Sequence, residues 1–144
     1  MFMEKFKFID HISDMQFVAY GRTLNELFEN CAFAMFEGMM LEIKVEEKFE
    51  RMGNLTSENL TDLLHDFLNE LLFIFETEHL VFKKFIVDIK KNGNYNLNFT
   101  AIGDKSENYV IDVGIKGITY HELSVEKKEI EGEIFWTANV LCDI

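Results

Sequence analysis

Leu60, Leu63, Leu64, Phe67, Leu68, Leu71, Leu72 and Phe75 recur at steps of three and four residues, the spacing of one wide face of an α-helix. On a strand the same residues would fall on both faces, so the pattern excludes that reading. A stripe this apolar must be buried, which predicts a helix starting near Thr56-Ser57 at the centre of the core. Glu58, Asp62, Asp66 and Glu70 occupy its other face. Stacked carboxylates cost a helix only a few tenths of a kcal/mol per pair. A solvated face is the simpler reading of them, and a basic partner is the alternative.

A second helix is announced by Thr23-Leu24-Asn25-Glu26, the form of a capping box. Leu24, Leu27, Phe28, Cys31 and Met35 give it one apolar face, and Gly38 suits its C-terminal cap. Elsewhere the period is two. Phe2, Phe6 and Phe8 alternate up to a polar turn at residues 10–14, and Met15, Phe17 and Ala19 resume the alternation up to Gly21, which predicts a hairpin. Residues 41–52 read as a strand on Leu41, Ile43 and Val45. Phe85, Val87 and Ile89 lead to Asn92-Gly93, a hairpin turn with φ > 0 at both positions, and Tyr95, Leu97, Phe99 and Ala101 return. A strand is expected from Thr119 to Lys127, a turn at Glu131-Gly132, and a last strand on Ile134, Trp136, Ala138, Val140 and Cys142. Strands grouped rather than alternating with helices predict an α+β fold, a mainly antiparallel sheet with two helices packed on one face. No linker or repeat interrupts residues 1–144, so one domain is expected.

The net charge of −12 argues against a general basic footprint for nucleic acid or for anionic membrane. Cys31 and Cys142 make no disulfide framework and no metal-binding Cys pair. Neither a leader pattern nor a run of 18 apolar residues occurs, so a reducing cytoplasm is the expected compartment.

Residue types that carry chemistry sit near the two ends. Asp10 and Asp14 flank the first turn, where aspartate usually bonds nearby backbone N–H groups. Asp143 lies out of phase with the apolar set of its strand and precedes Ile144 and its α-carboxylate. A frayed, solvated end is the default for such a pair, but hard oxygens gathered there would suit Ca²⁺, Mg²⁺ or Mn²⁺ better than Zn²⁺. The histidines His11, His65, His79 and His121 form no zinc motif, and no phosphate loop, dinucleotide fingerprint or nucleophile elbow is present. His65 reads as an edge residue of the long helix. Lys116-Gly117-Ile118-Thr119-Tyr120-His121 is the patch of greatest chemical variety, though by period it only opens a strand.

Four separated blocks resemble one family. His11-Ile12-Ser13-Asp14 with Gly21, then Leu24, Glu26, Phe28 and Ala32-Phe33-Ala34-Met35, is similar to the N-terminal pattern of archease. Phe67 through Phe73 resembles its central helix, Lys116 through His121 its lysine-to-histidine signature, and Trp136 through Ile144 its closing strand. Ile12-Ser13 and Gly117 depart from the usual residues beside these motifs.

The resemblance implies an accessory protein, not itself an enzyme, for an RtcB-type RNA ligase in tRNA splicing, promoting guanylylation of the ligase and its repeated turnover. It also implies a divalent cation, most simply Ca²⁺, on Asp14, Asp143 and Ile144. His11, Lys116, Thr119, Tyr120 and His121 would lie beside that site or at a partner contact. Two other readings stand beside it: a small metal-dependent hydrolase using His11, Asp14 and His121, and a chaperone-like binding module.

Overall fold

The computed structural model describes residues 3–9, 14–41 and 44–144. The order of elements is β1 (Phe6–Ile9), β2 (Asp14–Gly21), α1 (Leu24–Met39), β3 (Phe49–Ser57), α2 (Leu60–Glu78), β4 (Leu80–Asn92), β5 (Asn94–Lys105), β6 (Gly117–Ile118), β7 (Ser124–Ile130) and β8 (Glu133–Asp143). All strand pairs are antiparallel. The α+β architecture is as expected, with the strands distributed over two sheets. One runs β1-β2-β8, with β6 and β7 both paired to β8, and the other runs β3-β5-β4.

Helix α1 begins as its sequence dictates. Glu26 N–H donates to Thr23 Oγ1 at 3.1 Å, and the Glu26 carboxylate accepts from Arg22 N–H at 3.2 Å, one residue before the expected return bond. Gly38 does not cap this helix, which runs on to Met39. Its role is close approach: a Cβ there would lie 2.4 Å from Met15 Sδ on β2. Asn25 and Glu29, one turn apart on α1, accept from the N–H groups of Ile89 and Val87 at 2.9 and 2.8 Å. In this way α1 covers the outer edge of β4, an edge that would otherwise invite further strand pairing.

Helix α2 starts at Leu60, later than Thr56-Ser57 suggested, with Asn59 as its cap. Thr56 and Ser57 belong instead to β3, where Leu55 pairs with Leu97 and Ser57 with Tyr95. Ladder bonds and burial outweigh the local capping chemistry of these residues. The strand expected at 41–52 lies at Phe49–Ser57, its alternation hidden by Gly53 and the charged pair Glu50-Arg51. Of the strand expected from Thr119 to Lys127, only the part from Ser124 onward is strand, as the start of β7; β6 ends before it at Ile118, and residues 119–123 form the connection between them. At Asn92-Gly93 only Gly93 takes a positive φ, +79°. Glu131 and Gly132, at +53° and +79°, both adopt the left-handed conformation that the other turn was expected to use.

Aromatic contacts join the layers. Phe28 on α1 stacks with Phe67 on α2, ring centroids 6.0 Å apart, and Phe67 meets Phe99 of β5 edge-on at 5.4 Å. Phe36 stacks on Phe85 and meets Phe82 edge-on, fixing α1 to β4. Each such side chain taken fully out of water contributes about 1.5–3 kcal/mol. The long apolar stripe is the core: Leu63, Leu64, Phe67, Leu68 and Leu71 have no exposed surface. In β8 the expected alternation fails, because Phe135, Thr137 and Leu141 are buried as well as Ala138, Val140 and Cys142. A strand paired on both edges and covered on both faces has no solvated side in its middle. Ile134, expected inside, is 56% exposed near the tip of the β7–β8 hairpin.

Candidate functional site

Strand β2 opens at Asp14 and β8 closes at Asp143, and these two residues lie directly opposite each other in the antiparallel ladder. Opposed residues point to one face, with Cβ atoms about 4.5–5.5 Å apart. On its other side Asp143 is opposite Gly117 of β6. Lys116 N–H donates to the Asp143 carbonyl at 2.7 Å, and Thr119 N–H donates to the Leu141 carbonyl at 3.1 Å. The 116–119 segment thus occupies the main-chain acceptors at the end of β8, and Asp143 presents its carboxylate.

Asp14 and Ile144 line one open pocket of about 410 Å³, together with Glu37 and Gly38 of α1, Asp112, and the apolar side chains Phe8, Ile9 and Met40. Burial pushes the Glu37 carboxyl above its ordinary value, an effect that Lys5 partly offsets. Burial also pushes the Cys142 thiol up to about 12, and the charge of Asp14 adds to the rise. A thiol so placed is a packing group and not a nucleophile. Cys31, free and buried like Cys142, is pushed up in the same way.

Among the described residues, no three His, Cys, Asp or Glu side chains converge in a way that could hold a metal. The carboxylates at this end of the ladder and its pocket are those of Asp14, Asp143, Glu37 and Asp112. These are hard oxygens, the donor type that Ca²⁺, Mg²⁺ and Mn²⁺ prefer. Asp10 and His11 lie outside the described residues.

The remaining candidates form two separate groups. Tyr120 stacks flat on His65 of α2, centroids 3.9 Å apart and planes 12° apart. His65 Nδ1 is 3.0 Å from Asp66 Oδ1. Desolvation pushes the Tyr120 phenol up, and the charges of Asp62 and Asp66 reinforce it. Asp62 and Asp66, two of the four acids on this face, thus have local partners, and His65 is a packed residue, not a bare edge. Beside it, Asn69 Oδ1 accepts from Ile118 N–H at 3.0 Å and ties β6 to α2. His121 is far more exposed: its side chain is 76% accessible, and its Nε2 lies 3.9 Å from Glu122 Oε1. It does not line the pocket that holds Asp14.

Sequence reasoning missed Gln16, Glu122 and Asn139. Gln16 Nε2 donates to Asn139 Oδ1 at 2.8 Å and to Glu122 Oε2 at 3.2 Å, while Asn139 Nδ2 donates to the Glu122 carbonyl at 2.7 Å. This network shares the face of Asp14 and Asp143 and fixes the turn that carries Tyr120 and His121. Gln16 is only 7% exposed although it stands between Met15 and Phe17 in the outward phase. Nothing in its neighbours signals that burial; only the β2–β8 pairing reveals it.

Two antiparallel sheets and two helices, with an acidic pocket beside the ends of β2 and β8, define a small α+β domain with an oxygen-rich cleft. Residues 6–144 match the family model described as the Archease protein family, and the chain belongs to that family. It is 39% identical over 145 residues to the archease of Methanosarcina mazei, covering 98% of this chain and 97% of the other. It is 42% identical over 125 residues to that of Methanothermobacter thermautotrophicus, covering 85% and 89%, and 37% identical over 145 residues to that of Pyrococcus abyssi, covering 99% and 100%. The solution structure of protein 1598 from Methanobacterium thermoautotrophicum superposes with a TM-score of 0.84 at 39% identity, covering 99% and 100%. A crystal structure of an archease from Thermotoga maritima shares the fold, with a TM-score of 0.58 at 21% identity, covering 100% and 99%. No helix is long and apolar enough to cross a membrane among the described residues.

Proposed function

We propose that this archease is an accessory factor of an RtcB-type RNA ligase in tRNA splicing, promoting guanylylation of the ligase and its multiple turnover. We further propose that it works through a Ca²⁺-like divalent site on Asp14, Asp143 and Ile144. The observation that supports this reading is the single rung of the β2–β8 ladder that sets Asp14 against Asp143, beside the pocket shared by Asp14 and Ile144.

Carboxylates opposed in this way repel one another. A cation bound there would neutralise them and supply an electropositive point for a phosphoryl oxygen. The chain's own contribution is to hold the donors: β2 and β8 fix the aspartates, and the Lys116 and Thr119 amides lock the end of β8 in place. The net charge of −12 fits a partner protein of basic character and leaves RNA contact to that partner. The hydrolase reading is weaker, because His121 points to solvent beside Glu122 and does not share the Asp14 pocket.

The test is reconstitution. Wild-type protein mixed with an RtcB-type ligase, GTP, Mn²⁺ and 3′-phosphate RNA should raise both the guanylylated ligase and the joined RNA per ligase molecule. Asp14→Ala and Asp143→Ala proteins should lose that stimulation. Undiminished stimulation by both would overturn the proposal.

A further inference from the structure

Basic residues number only 14 in this acidic chain. Three of them, Lys5, Lys83 and Lys84, nevertheless line one small pocket of about 170 Å³ with Glu29, Asn30 and Phe33. We propose that this pocket is a second, anionic-ligand site that takes a phosphate group, either free as inorganic phosphate or as the monoester end of a nucleotide.

The pocket is the product of a backbone irregularity. Consecutive residues of a regular strand point to opposite faces, so Lys83 and Lys84 should not share a cavity. Strand β4 carries a bulge at this point: Phe82 pairs with Gly103 and Lys84 with Ile102, which leaves Lys83 without a register partner. A bulge re-aims side chains, and here it lets two successive lysines line the same hollow. Gly103 makes it sterically allowed, since a Cβ at that residue would lie 1.8 Å from the Val81 carbonyl oxygen. Lys5 arrives from the other sheet, just before β1, with Nζ 4.8 Å from the centroid of the Phe33 ring.

Size and charge together select the ligand. The volume lies below the roughly 300 Å³ at which sites for whole organic ligands begin, so the pocket suits one anionic group. Ammonium groups are compact donors suited to phosphate oxygens. Three carboxylates moderate the field, Glu37 among them through its interaction with Lys5. Glu47 lies 3.9 Å from Lys83 Nζ. Glu29 is engaged at Oε2 by the Val87 N–H at 2.8 Å, which directs part of its charge to the backbone. The site is distinct from the Asp14 pocket, with which it shares no lining residue.

The experiment is a two-dimensional ¹⁵N–¹H NMR titration of the full chain with inorganic phosphate, with a nucleoside monophosphate, and with chloride at matched ionic strength. Saturable shifts of the Lys5, Lys83 and Lys84 amides are expected with phosphate and not with chloride. Lys83→Ala and Lys84→Ala should each weaken phosphate binding about tenfold, with spectra that remain dispersed, since both side chains lie at the surface. Glu29→Gln keeps an oxygen for the Val87 N–H but removes the charge, so phosphate should bind severalfold more tightly. A tighter Kd for the nucleoside monophosphate than for phosphate identifies the ester end as the ligand, and the reverse order identifies the free ion. Shifts indistinguishable from those with chloride, or a phosphate Kd unmoved by either lysine variant, overturn the site.

Discussion

Asp14 and Asp143 occupy one rung of the β2–β8 ladder, one at the start of its strand and the other at the end of its own. The proposed cation site would link metal binding to stability. Like charges directly opposite each other destabilise a sheet by about 0.2–1 kcal/mol, and an ion that binds only the folded state adds RT ln(1 + [L]/Kd).

The Asp143→Asn and Asp14→Asn proteins should therefore be slightly more stable than wild type in EDTA and gain little from Ca²⁺. Wild type should gain about 2.7 kcal/mol at 100 times its Kd. Thermal melts with and without Ca²⁺, together with calorimetric titration, check this. Equal Ca²⁺ affinity in wild type and both variants would remove the aspartates from the donor set.

Asp104 gives a pH prediction. Burial by itself would raise its carboxyl, but bonds from Lys105 N–H, Tyr109 Oη–H and Asn108 Nδ2, with the charge of Lys48, hold it below its usual 3.8. A depressed folded value means stability that is present above pH 3.8 and is lost as pH falls through the folded value. Asp104→Asn should thus be less stable than wild type at pH 7, and the difference should vanish toward pH 2. Urea denaturation across that range reads it directly, and a difference independent of pH would show that the charge is not the source.

Gly103 supplies a steric prediction. Its missing side chain admits the Val81 and Phe82 backbone at the β4 bulge. Gly103→Ala must move main chain and not merely a flexible side chain, so a loss of several kcal/mol is expected, against the 1–3 kcal/mol typical of overpacking. Gly114→Ala, where a Cβ would meet nothing within 4 Å, is the control and should change stability by less than about 0.5 kcal/mol. Chemical denaturation of the two variants checks the contrast.

Local chemistry made the helices legible and their surroundings less so. The Leu60–Phe75 stripe carries its own period, and Thr23 with Glu26 carries its own cap, so both survive any tertiary arrangement. Thr56-Ser57 offered equally good capping groups, yet pairing of Leu55 with Leu97 drew them into β3. The β3 pattern itself was obscured because Gly53 interrupts the alternation where the Phe99 ring packs beneath it. Asp14 and Asp143 could each be singled out by residue type and position. That they share a rung depends on a pairing between distant segments that neither segment's pattern contains. The bulge that gathers Lys83 and Lys84 was invisible for the same reason: in sequence they are two neighbours of a strand, pointing apart.

The position of β8 carries a consequence for biosynthesis. This strand, residues 133–143, separates β2 from β6 and β7 and supplies the inner partner of all three. While the nascent chain leaves the ribosome, the β1–β2 hairpin must wait with its inner edge unsatisfied until β8 has been made. Contacts that close such long loops form slowly, and an open strand edge is the feature most prone to pair wrongly in the interval. The order of synthesis and the order of assembly therefore run against each other, and the half-made protein is the form of this chain most in need of protection.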